Sequence, residues 1–408
     1  MYFLKIVNLI IINIKINYFI KVVILSLGII SQWLICSKIC AQGNMHLGSL
    51  KIHPLFSVSE SYDDNIFDVS NNEISDLITT YSPGINLSLP IRVIRSELNV
   101  SYLSDIRDYR ENPDQSTINQ YFATSFKTEL PRGLSITLNN RFEDTEQPPT
   151  INYIYGELTQ RIRRKSNNFS TTINLPQYFT RFDADLHYSN SDNTYEDFNI
   201  KYNEQNIGTL LTYKLFTKLY TLTEFNIGRT SYETDVSNSV FYESFIGVQF
   251  KETAKTTGIF KIGYRVRDYE SEDIEQFQGV VLSLEYKTQL TALTNISVLL
   301  RRSQEEALFT VDRNFYELNS IYLTLGRKLT SKIDTNISNY YQLLDFPSAS
   351  EGESDIKYLT IGFRLSVDYK IQKWLSTNLS YWYDDVTSSS ENLGRKKNVI
   401  AFTIGASL

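Results

Sequence analysis

Between Lys51 and Leu408 the chain repeats segments of 10–14 residues in which apolar and polar side chains alternate one for one. In 182–188, Phe182, Ala184, Leu186 and Tyr188 oppose Asp183, Asp185 and His187. In 258–266, Phe260, Ile262, Tyr264 and Val266 oppose Lys261, Gly263 and Arg265. In 358–369, Leu359, Ile361, Phe363, Leu365, Val367 and Tyr369 oppose Thr360, Gly362, Arg364, Ser366 and Asp368, and Ile400, Phe402, Ile404, Ala406 and Leu408 repeat the pattern at the C-terminus. A period of two means strands with one apolar and one polar face. No helical period competes with it after the first 41 residues.

The connections alternate between short and long. Short ones read Leu89-Pro90-Ile91-Arg92, Leu130-Pro131-Arg132-Gly133, Leu175-Pro176-Gln177, Phe216-Thr217-Lys218, Glu252-Thr253-Ala254-Lys255, Lys287-Thr288-Gln289, Arg327-Lys328-Leu329 and Lys370-Ile371-Gln372-Lys373. Nine longer polar stretches lie near 63–76, 105–116, 143–158, 190–201, 229–239, 267–276, 302–314, 345–357 and 384–396. Eight turns and nine loops make 17 connections, hence 18 antiparallel strands with both ends on the short-turn side. Sixteen is the alternative if the 160–188 region pairs differently.

Strand length then selects the architecture. Strands of globular sandwiches usually run about 5–6 residues, whereas a tilted membrane-spanning strand needs roughly 9–11. Tyr62, Tyr109, Tyr188, Tyr269, Tyr286, Tyr341, Tyr369 and Tyr383 fall near strand ends, where an interfacial aromatic girdle is expected. Hydrocarbon tolerates no open sheet edge. The expectation is all-β: a closed antiparallel transmembrane β-barrel with short periplasmic turns and long extracellular loops. Leu282, Leu284, Phe260, Ile262, Leu359, Ile361, Phe363 and Leu365 are expected to face lipid. The loops gather acids (Asp63, Asp64, Asp68, Glu73 and Asp76 in the first) while the turns are basic, with Arg92, Arg132, Lys218, Lys255, Lys328 and Lys370.

The first 41 residues read differently. Lys5, Lys15 and Lys21 precede a short apolar core, Val22 to Ile30, with small residues before Gln42, the order of a secretory signal peptide. Cleavage after Ala41 removes both cysteines, leaving 42–50 as a short periplasmic segment and 51–408 as the barrel. Only about ten residues would separate Ala41 from the first strand, too few for the globular plug of a nutrient receptor.

Composition narrows the function. With 46 acidic against 40 basic residues, the net charge of -6 disfavours a nucleic-acid-binding surface. Three His and two Cys leave little for a zinc or thiol site. His187 beside Asp185 lacks a positioned serine, so no catalytic site is expected. Asp63-Asp64-Asn65 could seed a calcium loop, yet fits turn chemistry equally well. No cofactor is implied.

The polar strand faces carry the candidate pore-lining residues: Arg141, Asp183, Asp185, His187, Glu224, Glu243, Lys261, Arg265, Glu285, Arg301, Asp334, Arg364 and Asp368. A cation on the lipid side costs ~2–4 kcal/mol at the bilayer midplane, so such charges belong inside. They either line a water-filled channel or pair with one another and stiffen the wall. Apart from His187 they number five positive and seven negative, and acidic loops ring the outer mouth, so a wide, weakly cation-preferring channel is expected. Tyr322, Tyr340 and Trp382 share these faces, where they pack in the lumen or stack against sugars.

The run His53-Pro54-Leu55-Phe56-Ser57-Val58-Ser59-Glu60-Ser61-Tyr62-Asp63-Asp64-Asn65-Ile66-Phe67, followed by Tyr81-Ser82-Pro83-Gly84-Ile85-Asn86-Leu87-Ser88-Leu89-Pro90, resembles the opening of the β-barrel porin 2 family. The resemblance implies a Gram-negative outer-membrane barrel, in a family often associated with exopolysaccharide or capsule export. It also implies outer-membrane lipid and lipopolysaccharide, the barrel-assembly machinery and polysaccharide as partners, and brings no catalytic residues. One departure is the end in Leu408, where such barrels finish in an aromatic residue; Phe402 lies six residues earlier on the same face. The expected function is a porin-like channel passing small solutes or serving exopolysaccharide export. The competing reading is a scaffold or adhesin whose loops contact polysaccharide.

Overall fold

The computed structural model describes residues 45–91, 95–147, 162–179, 181–196, 199–233, 238–253, 255–271, 274, 276–307, 315–347, 355–389 and 394–407. The signal-peptide expectation lies outside them. The strands are β1 (Met45–Leu47), β2 (Leu50–Asp63), β3 (Asp76–Ile91), β4 (Ser96–Tyr109), β5 (Thr117–Glu129) and β6 (Ser135–Gln147). Then come β7 (Ile162–Phe179), β8 (Phe182–Tyr195), β9 (Ile200–Lys214), β10 (Leu219–Tyr232), β11 (Ser239–Thr253) and β12 (Thr256–Tyr269). The last are β13 (Phe277–Thr291), β14 (Thr294–Glu306), β15 (Phe315–Lys328), β16 (Ile333–Phe346), β17 (Ile356–Lys370), β18 (Leu375–Ser388) and β19 (Arg395–Ser407).

Each strand from β2 to β19 pairs antiparallel with its sequence neighbours, and β19 closes on β2 from Val399↔Asp63 to Ser407↔Leu55. The ring therefore has 18 strands, and β1 is an extra short strand folded back on β2 within the segment 42–50 that precedes the barrel. The 16-strand alternative fails because β7 pairs along its length with both β6 and β8. No turn forms at Leu175-Pro176-Gln177: β7 continues to Phe179 and β8 starts at Phe182, and the register shifts between Leu175 and Phe179. Pro176 has no N–H for the ladder, and a bulge lets the strand continue past it. Likewise the turn expected at Lys287-Thr288-Gln289 lies at 292–293, and within the long stretch 190–201 Asn190 to Tyr195 continue β8 while β9 starts at Ile200. Between β5 and β6, Arg132 and Gly133 have φ of 66° and 78°, the left-handed geometry that lets so short a connection reverse the chain.

The two faces are told apart by contacts that skip strands. Lys261 on β12 reaches Glu224 on β10, and Tyr232 on β10 reaches Glu306 on β14, chords possible only across the concave side. The opposite parity carries the exposed apolar residues, among them Phe225, Ile246, Ile262 and Ile361. The eight residues expected to face lipid all share that outer parity. From Leu359 to Tyr369 the outer positions of β17 are apolar or aromatic. Ten rises of about 3.4 Å, tilted by about 40°, give about 26 Å, matching an apolar band of about 25 Å. The tyrosine girdle needs correction at two positions. Tyr109 and Tyr269 have inner parity, and Tyr109 is 2% exposed under the first long loop.

At the long-loop end the outer face changes character. Cross-strand ion pairs ring it: Glu60–Arg110 at 3.1 Å, Asp144–Arg163 at 2.8 Å, Arg229–Glu270 at 3.3 Å, Arg302–Glu317 at 2.6 Å, Asp345–Lys357 at 2.8 Å and Asp385–Lys396 at 3.3 Å. Paired charges at one level on many strands mark where hydrocarbon gives way to the polar interface. If this end faces outward, an epitope inserted at Ser271 is expected to bind antibody on intact cells, and one at Thr253 only after permeabilisation. The opposite labelling pattern would invert the barrel.

Candidate functional site: the inner wall

The inner wall of β10–β12 is a paired ladder. Glu224 accepts from Lys261 Nζ at 2.8 Å and Glu243 from Arg265 Nε at 2.8 Å, while Asn226 donates to both carboxylates at 2.9 and 3.2 Å. Phe241 and Phe245 share this face; Arg265 lies 4.5 Å from the centre of the Phe241 ring and Lys261 5.1 Å from that of Phe245. Higher up, Arg267 pairs with Glu306 and donates to Ser239 at 3.2 Å. Glu224, Glu243, Lys261 and Arg265 thus lie on the inner side and pair with one another within this stretch. His187 sits between register partners Thr172 and Gly208, with no serine at either place. A Cβ on Gly208 would lie 2.0 Å from the imidazole and 2.1 Å from Asn226 Oδ1, so only glycine leaves room for both.

Toward the short turns the wall opens. A cavity of about 380 Å³ is lined by Asp183, Asp185, Glu224, Lys261 and Glu285 together with Lys251. Five dispersed sequence candidates therefore meet in one place. Asp185 accepts from Asn174 at 2.8 Å, Asp334 from Lys370 at 2.8 Å and Asp368 from Asn378 at 2.8 Å. Arg141 is paired with Glu143, and Arg301 with Glu305 at 2.8 Å, yet both arginine side chains remain more than half exposed.

The aromatic candidates separate into two kinds. Tyr322 and Tyr340 stack on each other with ring centres 5.5 Å apart. Arg364 binds Asp384 through both terminal nitrogens at 2.8 Å, and Tyr340 donates to the same carboxylate. Gly362 makes this bridge possible, because a Cβ there would lie 2.0 Å from the Tyr340 ring. Trp382, in register with Arg364, stays 44% exposed on the inner face beside Val399 and Ala401.

Near the long loops the lumen is packed rather than bare. Leu344, Phe346, Tyr358 and Val386 form one cluster, and Ile162 and Tyr195 another. The first long loop folds inward as a third, placing Ile66, Phe67 and Val69 on Ile78 and Tyr109. It is held across the β19–β2 seam by Lys397, which reaches Asp63 at 3.0 Å and Asp68 at 2.9 Å, and by Asp64, which accepts from the Asn398 side chain at 2.7 Å. Asp63 also accepts from the backbone N–H of Asn65 at 3.0 Å, so the Asp63-Asp64-Asn65 run serves as turn and seam chemistry. Burial pushes the Glu73 carboxyl up, with the Asp64 charge adding to it.

Sequence reasoning placed Lys287, Lys328 and Lys370 in the turns and did not single out Lys127, Lys214 or Lys251. Lys127, Lys214, Lys251, Lys287, Lys328 and Lys370 close six downward strands on inner parity, and all six are exposed. The signal was present: each continues the polar side of its strand's alternation to the last residues before the turn.

A family model described as "Putative beta-barrel porin 2" matches residues 40–407. Similar solved structures include OccK3 (OpdO) from Pseudomonas aeruginosa, 10% identical, covering 88% of this chain and 95% of that one with a TM-score of 0.49. Another is the outer membrane protein opdK from Pseudomonas aeruginosa, at 9% identity, 88% and 99% coverage and a TM-score of 0.48. The siderophore receptor PirA from Pseudomonas aeruginosa is 11% identical, with 88% and 80% coverage and a TM-score of 0.46. No curated protein matches the sequence.

Proposed function

The chain belongs to the putative beta-barrel porin 2 family, a family of outer-membrane barrels, and from that premise we propose that it is a non-enzymatic, porin-like channel for small hydrophilic solutes. The observation that carries this reading is the sorting of side chains in a closed ring. The outer face is apolar over a membrane's thickness, while the inner face is polar and opens into a cavity of about 380 Å³ lined by charges of both signs. Barrels of about 16–18 strands are wide enough to enclose an aqueous channel. The pore-lining set is the wall between Arg141 and Asp368 described above, its pairs fixing charges in place. Trp382 adds an exposed ring on which a sugar can stack.

Because the wall charges nearly cancel, selectivity is expected to be weak. Acidic loops favour cations at the outer mouth over ~8–10 Å at physiological ionic strength. The purified chain in planar bilayers is expected to conduct, with a small reversal potential across a salt gradient. Strong preference for either sign would count against a balanced wall. Absence of conductance would remove the channel reading and leave a surface scaffold.

A further inference from the structure

We propose that the long-loop ends of β14 and β15 form a strap that gates the channel: docked across the lumen it narrows the passage, and paired back onto the edge of β13 it clears it. The inference rests on the channel reading and goes beyond it by naming the element that controls passage. The ladder between β13 and β14 stops at Leu282↔Arg302, although β13 runs on to Phe277 and β14 to Glu306. Each keeps its other neighbour: β13 pairs with β12 up to Arg267↔Phe277, and β14 with β15 up to Glu306↔Phe315. The two strands have parted from each other without fraying. The strap is made of these described ends, 303–307 and 315–318.

Side-chain parity shows which way β14 has gone. Leu300 is in register with the outward Leu284, and Gln304 and Glu306 continue its parity, so on a regular wall they would point outward. Instead both side chains are buried, and their partners lie on the inner faces of β10–β12. The Gln304 carbonyl accepts from Arg265 Nη1 at 2.7 Å. Glu306 pairs with Arg267 and accepts from Ser239 Oγ at 2.7 Å and from Tyr232 Oη at 3.4 Å. An outward side chain meets the inner wall of neighbouring strands only where its own strand has crossed to their lumen side. Phe315 accordingly lies edge-on to Phe277, an inner residue of β13, at 5.1 Å. On the strap's other face Ala307, Tyr316 and Leu318 pack against the cluster of Leu344, Phe346, Tyr358 and Val386. The strap thus crosses the lumen from the β16–β18 wall to β10–β12.

A second pairing is built into the register. Among the described residues no strand other than β12 pairs with 277–281, so the edge stands open. Continuing the ladder would set Val281 opposite Ser303, Val280 opposite Gln304, Gly279 opposite Glu305 and Gln278 opposite Glu306. Gln304 and Glu306 would then face out beside the Arg302–Glu317 pair, at the polar level where such side chains are tolerated. The Arg301–Glu305 and Ser303–Glu305 contacts lie within β14 and persist in both arrangements. Docking exchanges ladder hydrogen bonds for charge-assisted ones in a buried cluster. An element with two such discrete arrangements is what a gate requires.

The test clamps the second arrangement. Val280→Cys with Gln304→Cys places one thiol on each strand, in register only when the strap is paired with β13. With the full chain in planar bilayers, added diamide is expected to join the two thiols and raise single-channel conductance, and a reductant should reverse both. Adding Glu306→Gln removes the charge on which Arg267, Ser239 and Tyr232 converge. It should speed cross-linking roughly tenfold or more, the factor for one charge-assisted hydrogen bond. Arg229→Gln breaks the Arg229–Glu270 pair at the same end but outside the strap, and should change neither readout. A matching rise there overturns the assignment to the strap. No disulfide in the Glu306→Gln background, in protein shown to be folded by heat-modifiable mobility, overturns the second pairing. A disulfide that leaves conductance unchanged overturns the gate while the channel stands. Where the cysteine pair does not fold, Glu306→Gln alone carries the test, and conductance equal to that of the native chain overturns the proposal. If neither the reduced nor the clamped protein conducts, the channel reading falls and the gate falls with it.

Discussion

Replacing Ile246 with arginine is expected to stop the barrel from assembling. Ile246 is the middle residue of β11, has outer parity and is 66% exposed in the isolated chain, in register with Ile262 on one side and Thr223 on the other. In a bilayer that exposure is contact with hydrocarbon, and a cation there costs ~2–4 kcal/mol near the midplane. The loss falls on a fold that must insert before it is complete. The matching control is Asn139→Arg: Asn139 is exposed on the inner wall of β6, where a guanidinium meets water. The sequence alone suggests the pair Phe363→Arg and Thr360→Arg, but Thr360 is 4% exposed beside Val386, so arginine there lacks room for reasons unrelated to lipid. Heat-modifiable mobility on gels, read after purification from outer membranes, should show folded Asn139→Arg at normal yield and little folded Ile246→Arg. Equal yields would argue that the apolar face does not meet hydrocarbon.

The second large effect is expected at the seam. Lys397→Met removes the ammonium group held between Asp63 and Asp68, whose side chains are 11% and 2% exposed. Arg395 also pairs with Asp68, but at 3.8 Å against 2.9 Å for Lys397, so it compensates only in part. Stripping one partner from a buried ionic cluster typically costs about 3–5 kcal/mol, because the charges left behind are neither solvated nor paired. The expected consequence is local: Ile66, Phe67 and Val69 leave Ile78 and Tyr109, and the first long loop swings out of the lumen. Hydrogen exchange in 64–75 should accelerate by roughly a hundredfold or more, and single-channel conductance should rise. Adding Asp68→Asn should restore part of the protection, since it removes one of the stranded charges. Unchanged exchange in the single variant would show that the latch does not hold the loop.

Much of this architecture is written locally. Alternation in β8, β12 and β17 states which side chains share a face, and a cation's intolerance of hydrocarbon states which face is inside. The alternation therefore places Lys261, Arg265, Glu224 and Arg364 on the inner side. The strand count was also local, because turns and loops alternate in length. Turn positions at Pro176 and Gln289 were less legible: a proline marks a missing N–H, and only the partner strands decide whether that becomes a turn or a bulge. Pairing across strands was not legible at all. That Lys261 meets Glu224, that Tyr340 crosses Gly362 to Asp384, and that Glu306 meets Ser239 all depend on register and curvature. So does the inward fold of the first loop, whose acids looked like solvated loop residues until Lys397, more than 300 positions away, closed over them. A sequence fixes the period and chemistry of each strand because those are properties of neighbours along the chain. Partners in a closed ring are set by global closure, in which every strand's register constrains the rest, and only the tertiary structure contains that information.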